Sequence, residues 1–137
     1  MDTMTATKTV SFWVPGGPRA AGVARRSVLS VQVGVPGAIR HRLALLLSEL
    51  VTNSIQHGGA GPQDSMQVRL ASSSDRMRVE VFDPGQNGSG PRHRVEEGGG
   101  YGLLMVDRLA DDWGRARTAE GGTLSWFELS LDHLGDG

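Results

Sequence analysis

The stretch from about Ala38 to His57 constrains the fold more than any other part of the chain. Leu43, Ala44, Leu45, Leu46 and Leu47, followed by Leu50, Val51 and Ile55, give a helix with a broad apolar surface, which is stable only when another layer covers it. The break at Pro36-Gly37 precedes this helix, and Gly58-Gly59 suits a glycine C-cap at its end. Glu49, Asn53 and His57 recur every four residues, so a regular helix sets them in one stripe. Polar groups beside so much buried surface need partners, and a metal-bound phosphate is one such partner. Taken singly, each of the three is by default the solvated edge of an amphipathic helix, because these residue types mostly face water.

Two later segments bear on that choice. Val79 to Gly85 reads as a strand ending in a carboxylate, Asp83, and a Pro84-Gly85 turn. Gly98, Gly99 and Gly100 run through Tyr101 and Gly102 into the apolar Leu103, Leu104, Met105 and Val106, a glycine-rich loop opening a helix. The unbonded amides at such a helix start favour phosphate. A dinucleotide-binding unit does not fit, because the loop does not directly follow a strand in an early βαβ unit. A Walker-type phosphate loop does not fit either, since the only lysine is Lys8.

The remaining elements complete a pattern. Lys8 to Val14 is a strand stopped by Pro15-Gly16-Gly17-Pro18, and Arg19 to Val33 is a helix with Val23, Val28 and Leu29 partly buried. Met66 to Ala71 and Met77 to Phe82 form a hairpin around the serine-rich turn at 72–76. Gln86 to Gly100 has many glycines and no apolar periodicity, as expected of a mobile lid. A third helix over Tyr101 to Asp111 points Leu103, Leu104, Val106 and Leu109 at the core. Trp113 to Arg117 and Thr123 to Leu131 then pair around Glu120-Gly121-Gly122, with Trp113 and Trp126 as core aromatics. Strands mixed with helices that cover one face predict an α+β, two-layer sandwich: a mixed, largely antiparallel sheet beneath three helices.

Composition limits the function classes. A length of 137 residues accommodates one domain and one core. With 14 basic and 15 acidic residues the formal charge is -1, so no general attraction to nucleic acid or to an anionic membrane is expected. The absence of cysteine excludes disulfides, thiolate metal sites and thiol chemistry. Neither a signal-like stretch in Met1 to Thr9 nor a membrane-length apolar run is present, which leads to the expectation of a soluble, cytoplasmic protein.

In order and spacing, the segments around Asn53, Asp83 and Gly98 to Gly102 resemble the N, G1 and G2 boxes of the ATPase superfamily of gyrase, Hsp90, histidine kinases and MutL. The tail, Leu109 to Gly114 and Gly122 to Leu129, is similar to the anti-sigma factor serine/threonine kinase branch. The resemblance covers nearly the whole chain and implies the Bergerat ATP-binding fold, with ATP and Mg2+ held between the helices and the lid. It implies that Asn53 ligates the metal, that Glu49 is the general base, and that Asp83 accepts a hydrogen bond from the adenine amine. Gly85 then approaches the base, while Gly98, Gly99, Gly100, Tyr101, Gly102 and Leu103 wrap the phosphates. Thr123 matches a threonine that helps hold adenine, or is simply a β-branched strand residue; His57 contacts phosphate or caps the helix. Asn87 stands where the usual D-x-G-x-G pattern has its second glycine, which bears on lid geometry.

The same resemblance implies a kinase acting on a small anti-sigma-factor antagonist and sequestering a sigma factor, with Arg25 and Arg26 of the first helix as contact candidates and a homodimer as a common state. An ATP-gated binding module without significant phosphotransfer is the alternative, and Glu49 favours the enzyme.

Overall fold

The computed structural model describes residues 8–31, 35–58, 64–84 and 101–131, with side chains throughout except at 57, 58 and 101–103. Five strands and three α-helices follow the order β1 (Lys8–Pro15), α1 (Ala20–Ser30), α2 (Gly37–Asn53), β2 (Ser65–Ser72), β3 (Arg76–Asp83), α3 (Tyr101–Leu109), β4 (Asp112–Arg117) and β5 (Thr123–Ser130). The strands form one sheet in the order β1-β2-β3-β5-β4. All four pairings are antiparallel, so the expected two-layer α+β arrangement holds with no parallel pair among the described strands. The link from β3 through α3 carries the chain to the far edge, and β5 returns between β3 and β4.

Period-two alternation decides which side of the sheet is covered. Met66, Val68 and Leu70 on β2, Met77, Val79 and Val81 on β3, and Phe127 and Leu129 on β5 are all buried toward the helices. They meet Ile39, Leu43, Leu46, Leu47, Leu50 and Val51 of α2, the most deeply buried helix, together with Ala24 and Val28 of α1. Two leucines expected in the core are not there: Leu104 and Leu109 of α3 are exposed, and Val106 alone of the side chains described on that helix is fully buried. Leu29 of α1 is likewise exposed, one residue past the buried Val28. The helix is nine residues long and packs mainly on α2, so described side chains turned away from α2 and β4 remain in water.

The opposite face of the sheet carries ion pairs. Arg78 bonds Glu80 and Glu128 at 2.8 Å each, and Arg76 bonds Glu128 at 2.6 Å. Trp126 belongs to this face and not to the core: the Arg78 guanidinium stacks 4.3 Å from its ring centroid. Gly114 lies beneath the same ring, where a Cβ would come within 2.7 Å of it. Trp113 points the other way, packs against the core, and donates its indole N–H to Asp107 Oδ1 at 2.8 Å, which ties β4 to α3.

Helical winding of the central helix runs as far as Gly58 but is not regular throughout, and the expected glycine cap involves Gly59, which lies outside the described residues. The α-helical winding stops at Asn53, and Ser54–Gly58 continues as a single π turn. Pro36 stands at its N-cap and Arg40 donates to the carbonyl of Val31 at 2.6 Å, joining the loop after α1 to the first turn of α2.

Candidate functional site

Glu49 and Asn53 lie one turn apart within the regular part of α2, as the four-residue spacing requires. Glu49 is half-buried and Asn53 is buried. The ion pairs described among these residues run through Glu80 and Glu128, and none involves Glu49. The stripe does not extend regularly to His57, because a π turn advances the chain by a smaller angle per residue; His57 sits in that turn and its side chain lies outside the described residues.

Asp83 is the last residue of β3 and only 1% exposed. Strand alternation turns it to the helix side, in line with Val79 and Val81. Its cross-strand partner is Thr123, the first residue of β5, so these two sequence candidates are brought together directly. Gly122 precedes Thr123, and a Cβ there would stand 2.2 Å from the Asp83 carbonyl oxygen and 3.0 Å from the Pro84 carbonyl carbon. Only glycine allows the β4–β5 turn to close so tightly on the end of β3. That turn is held by Thr118, whose hydroxyl accepts the Gly122 N–H at 2.9 Å, and by Gly121 at φ 92°.

Arg115, not singled out from the sequence, joins the two halves of the site. It stands on β4 opposite the buried Ser125 and reaches α2, where its guanidinium donates to Asn53 Oδ1. Burial pushes the Arg115 pKa down, and the charge of Asp83 opposes that shift, so the guanidinium lies within electrostatic reach of both candidate residues. Period two along Trp113-Gly114-Arg115 was the available signal: an arginine two residues from a core-facing tryptophan falls on the covered face.

Tyr101, Gly102 and Leu103 form the first turn of α3. Gly85, Gly98, Gly99, Gly100 and the expected lid at 86–100 lie outside the described residues.

The donor set fits a magnesium nucleotide. Asn53 offers an amide oxygen that already holds a cationic group, and Asp83 offers a buried carboxylate that suits an amine donor. Among the described residues no cluster of three or more His, Cys, Asp or Glu could hold a metal ion; magnesium is commonly bound through one or two protein oxygens together with substrate phosphates and waters.

A family model for the histidine kinase-like ATPase domain matches residues 14–127, which include β1 from Val14 onward, all three helices and the sheet as far as Phe127. The chain belongs to this family. No curated protein matches it at a significant level. For a histidine kinase-like ATPase domain the nucleotide is ATP, generally with Mg2+, and the pairing of Asn53 on the central helix with Asp83 at a strand end is consistent with that. No described helix is long and apolar enough to cross a membrane.

Proposed function

We propose that this ATPase domain is a serine/threonine protein kinase and anti-sigma regulatory factor, which holds a sigma factor and phosphorylates an antagonist protein that competes for it. The observation that supports the enzyme is Glu49, half-buried one helical turn before Asn53 on the rigid central helix. A carboxylate so placed can accept the proton of a serine or threonine hydroxyl as that oxygen attacks the terminal phosphate, while Asn53 fixes the metal that neutralises charge on the phosphates. Asp83 selects adenine, because guanine presents a carbonyl where the carboxylate needs a donor. Arg25 and Arg26, exposed on α1, are the side chains proposed to meet the sigma factor and the antagonist.

The test is transfer of labelled phosphate from ATP to serine or threonine of a candidate antagonist. Glu49→Gln keeps the side-chain size and loses the proton acceptor, so ATP affinity is expected to hold while transfer falls by about two to four orders of magnitude. Robust transfer by the variant would remove Glu49 as the base. A second function, an ATP-gated binding module that switches partners without transfer, is favoured by one observation: Asn53, the proposed metal ligand, is engaged by Arg115. Absence of transfer to every antagonist tried, with ATP-dependent partner binding retained, would establish that module.

A further inference from the structure

Arg115 is the one arginine described on the helix side of the sheet that reaches the residues proposed for metal and adenine, Asn53 by a hydrogen bond to its neutral amide and Asp83 through its charge. An arginine serving only as a surface charge would resemble Arg76 and Arg78, which pair with carboxylates on the open face. The position costs the side chain solvation, since burial disfavours its charged form, and the opposing influence of Asp83 only partly offsets that. The guanidinium is nonetheless held on the amide oxygen, the acceptor that a magnesium ion would also require. The amide oxygen has two lone pairs, but a guanidinium and a magnesium ion held on it together would be like charges a few ångströms apart, so each weakens the hold of the other.

We propose that Arg115 is a tethered cation that competes with Mg2+ for Asn53, so that the nucleotide site keeps a positive charge without metal and the metal must displace an arginine in order to bind. Three consequences follow for this domain, all resting on the magnesium role proposed above for Asn53. Nucleotide binding without divalent metal is stronger than the site would otherwise allow, because the guanidinium stays beside the phosphates as a planar donor of several N–H groups. The gain in affinity on adding Mg2+ is correspondingly small. A displaced Arg115 also leaves Asn53 while remaining anchored on β4, so metal binding changes a contact between the central helix and the edge strand of the sheet.

The experiment measures ATP affinity by calorimetry with magnesium and with a chelator, and takes the ratio of the two dissociation constants as the metal coupling. It compares the full chain with Arg115→Met, which removes the charge and keeps the length, Arg115→Lys, which keeps a cation, and Asn53→Ala. Hydrogen bonds to charged groups commonly contribute enough to change an equilibrium by about tenfold or more. The coupling is therefore expected to rise by about tenfold in Arg115→Met, with weaker binding in chelator and a lower magnesium concentration at half-effect, and to return toward the wild-type ratio in Arg115→Lys. Unchanged coupling in Arg115→Met, with Asn53→Ala abolishing it, would overturn the competition and leave Asn53 as the metal ligand. Unchanged coupling in Asn53→Ala would instead remove the metal role on which the competition depends. Thermal melting of each variant identifies any that is unfolded; should Arg115→Met not fold, Arg115→Gln replaces it, and wild-type coupling in that variant equally refutes the proposal.

Discussion

Gly122 offers the sharpest test of how the adenine end of the site is built. Gly122→Ala places a methyl group 2.2 Å from the carbonyl oxygen of Asp83, where carbon and oxygen atoms ordinarily approach no closer than about 3.4 Å. The shortfall is more than an ångström against backbone on a central strand, so the β4–β5 turn must back away or Asp83 must move. Overpacking of this kind costs about 1–3 kcal/mol, and for a chain of this size about 4 °C of melting temperature follows each kcal/mol. Gly121→Ala is the matched control. Its φ of 92° strains an alanine by about 1–2 kcal/mol, but the strain falls in the turn and not on the last residue of β3. Urea unfolding of both variants should therefore give comparable losses of stability. Calorimetric titration with ATP should separate them, with Gly122→Ala weakened by about tenfold or more, on the scale of one lost hydrogen bond to a charged group, and Gly121→Ala near the wild type. A folded Gly122→Ala protein that bound ATP normally, or equal losses in both variants, would refute the dependence of nucleotide recognition on this close approach.

Asp83→Asn should weaken ATP by about tenfold, since an amide can present NH2 where the adenine amine needs an acceptor; parallel titration with GTP should show the preference for ATP narrowing, and an unchanged preference would dissociate Asp83 from base selection. On the open face, partial burial pushes the Glu128 carboxyl up, but hydrogen bonds from Arg78 and Arg76 and their charges outweigh it and hold the pKa below the ordinary value. A depressed folded-state pKa contributes stability that is complete above the unfolded carboxylate value of about 4.3 and is lost as pH falls through the lower folded value. Glu128→Gln should thus lower stability at neutral pH and flatten the acid limb of the stability curve below about pH 4, as urea titrations at stepped pH would record.

Much of the fold was legible because its signals are local and periodic. The hairpin of β2 and β3 follows from two alternating runs around a serine-rich turn, and β5 from the run of Thr123 to Leu129, rich in leucine and aromatic residues, after two glycines. Glu49, Asn53, Asp83 and Thr123 were legible as polar residues at element boundaries or in a helical stripe, and the structure places the last two opposite each other. What sequence could not supply was depth and partnership. Leu104 and Leu109 obey helical spacing, yet on a short helix packed mainly on α2 they stay in water. Trp126 follows the same alternation as its neighbours, but which face of a sheet is covered is decided by the helices and not by the strand, and an arginine stack can shelter an indole on the open side. Arg115 carries no local signal of its role, because it stands 62 positions along the chain from Asn53, a separation that only the folded sheet closes.

The π turn that follows Asn53 has a consequence for how this helix tolerates changes in length. A π turn inside a helix is equivalent to one residue inserted into α-helical winding. The helix upstream has no such slack: adding or deleting a residue between Gly37 and Asn53 would rotate Asn53 relative to the preceding apolar face by about 100° and swing its amide away from Arg115. Removing one residue from Ser54–Gly58 would merely let the winding tighten to a regular turn, with Asn53 still facing β4. The boundary at Asn53 thus divides a segment in which the residue count is fixed by the site from one in which a single deletion can be absorbed.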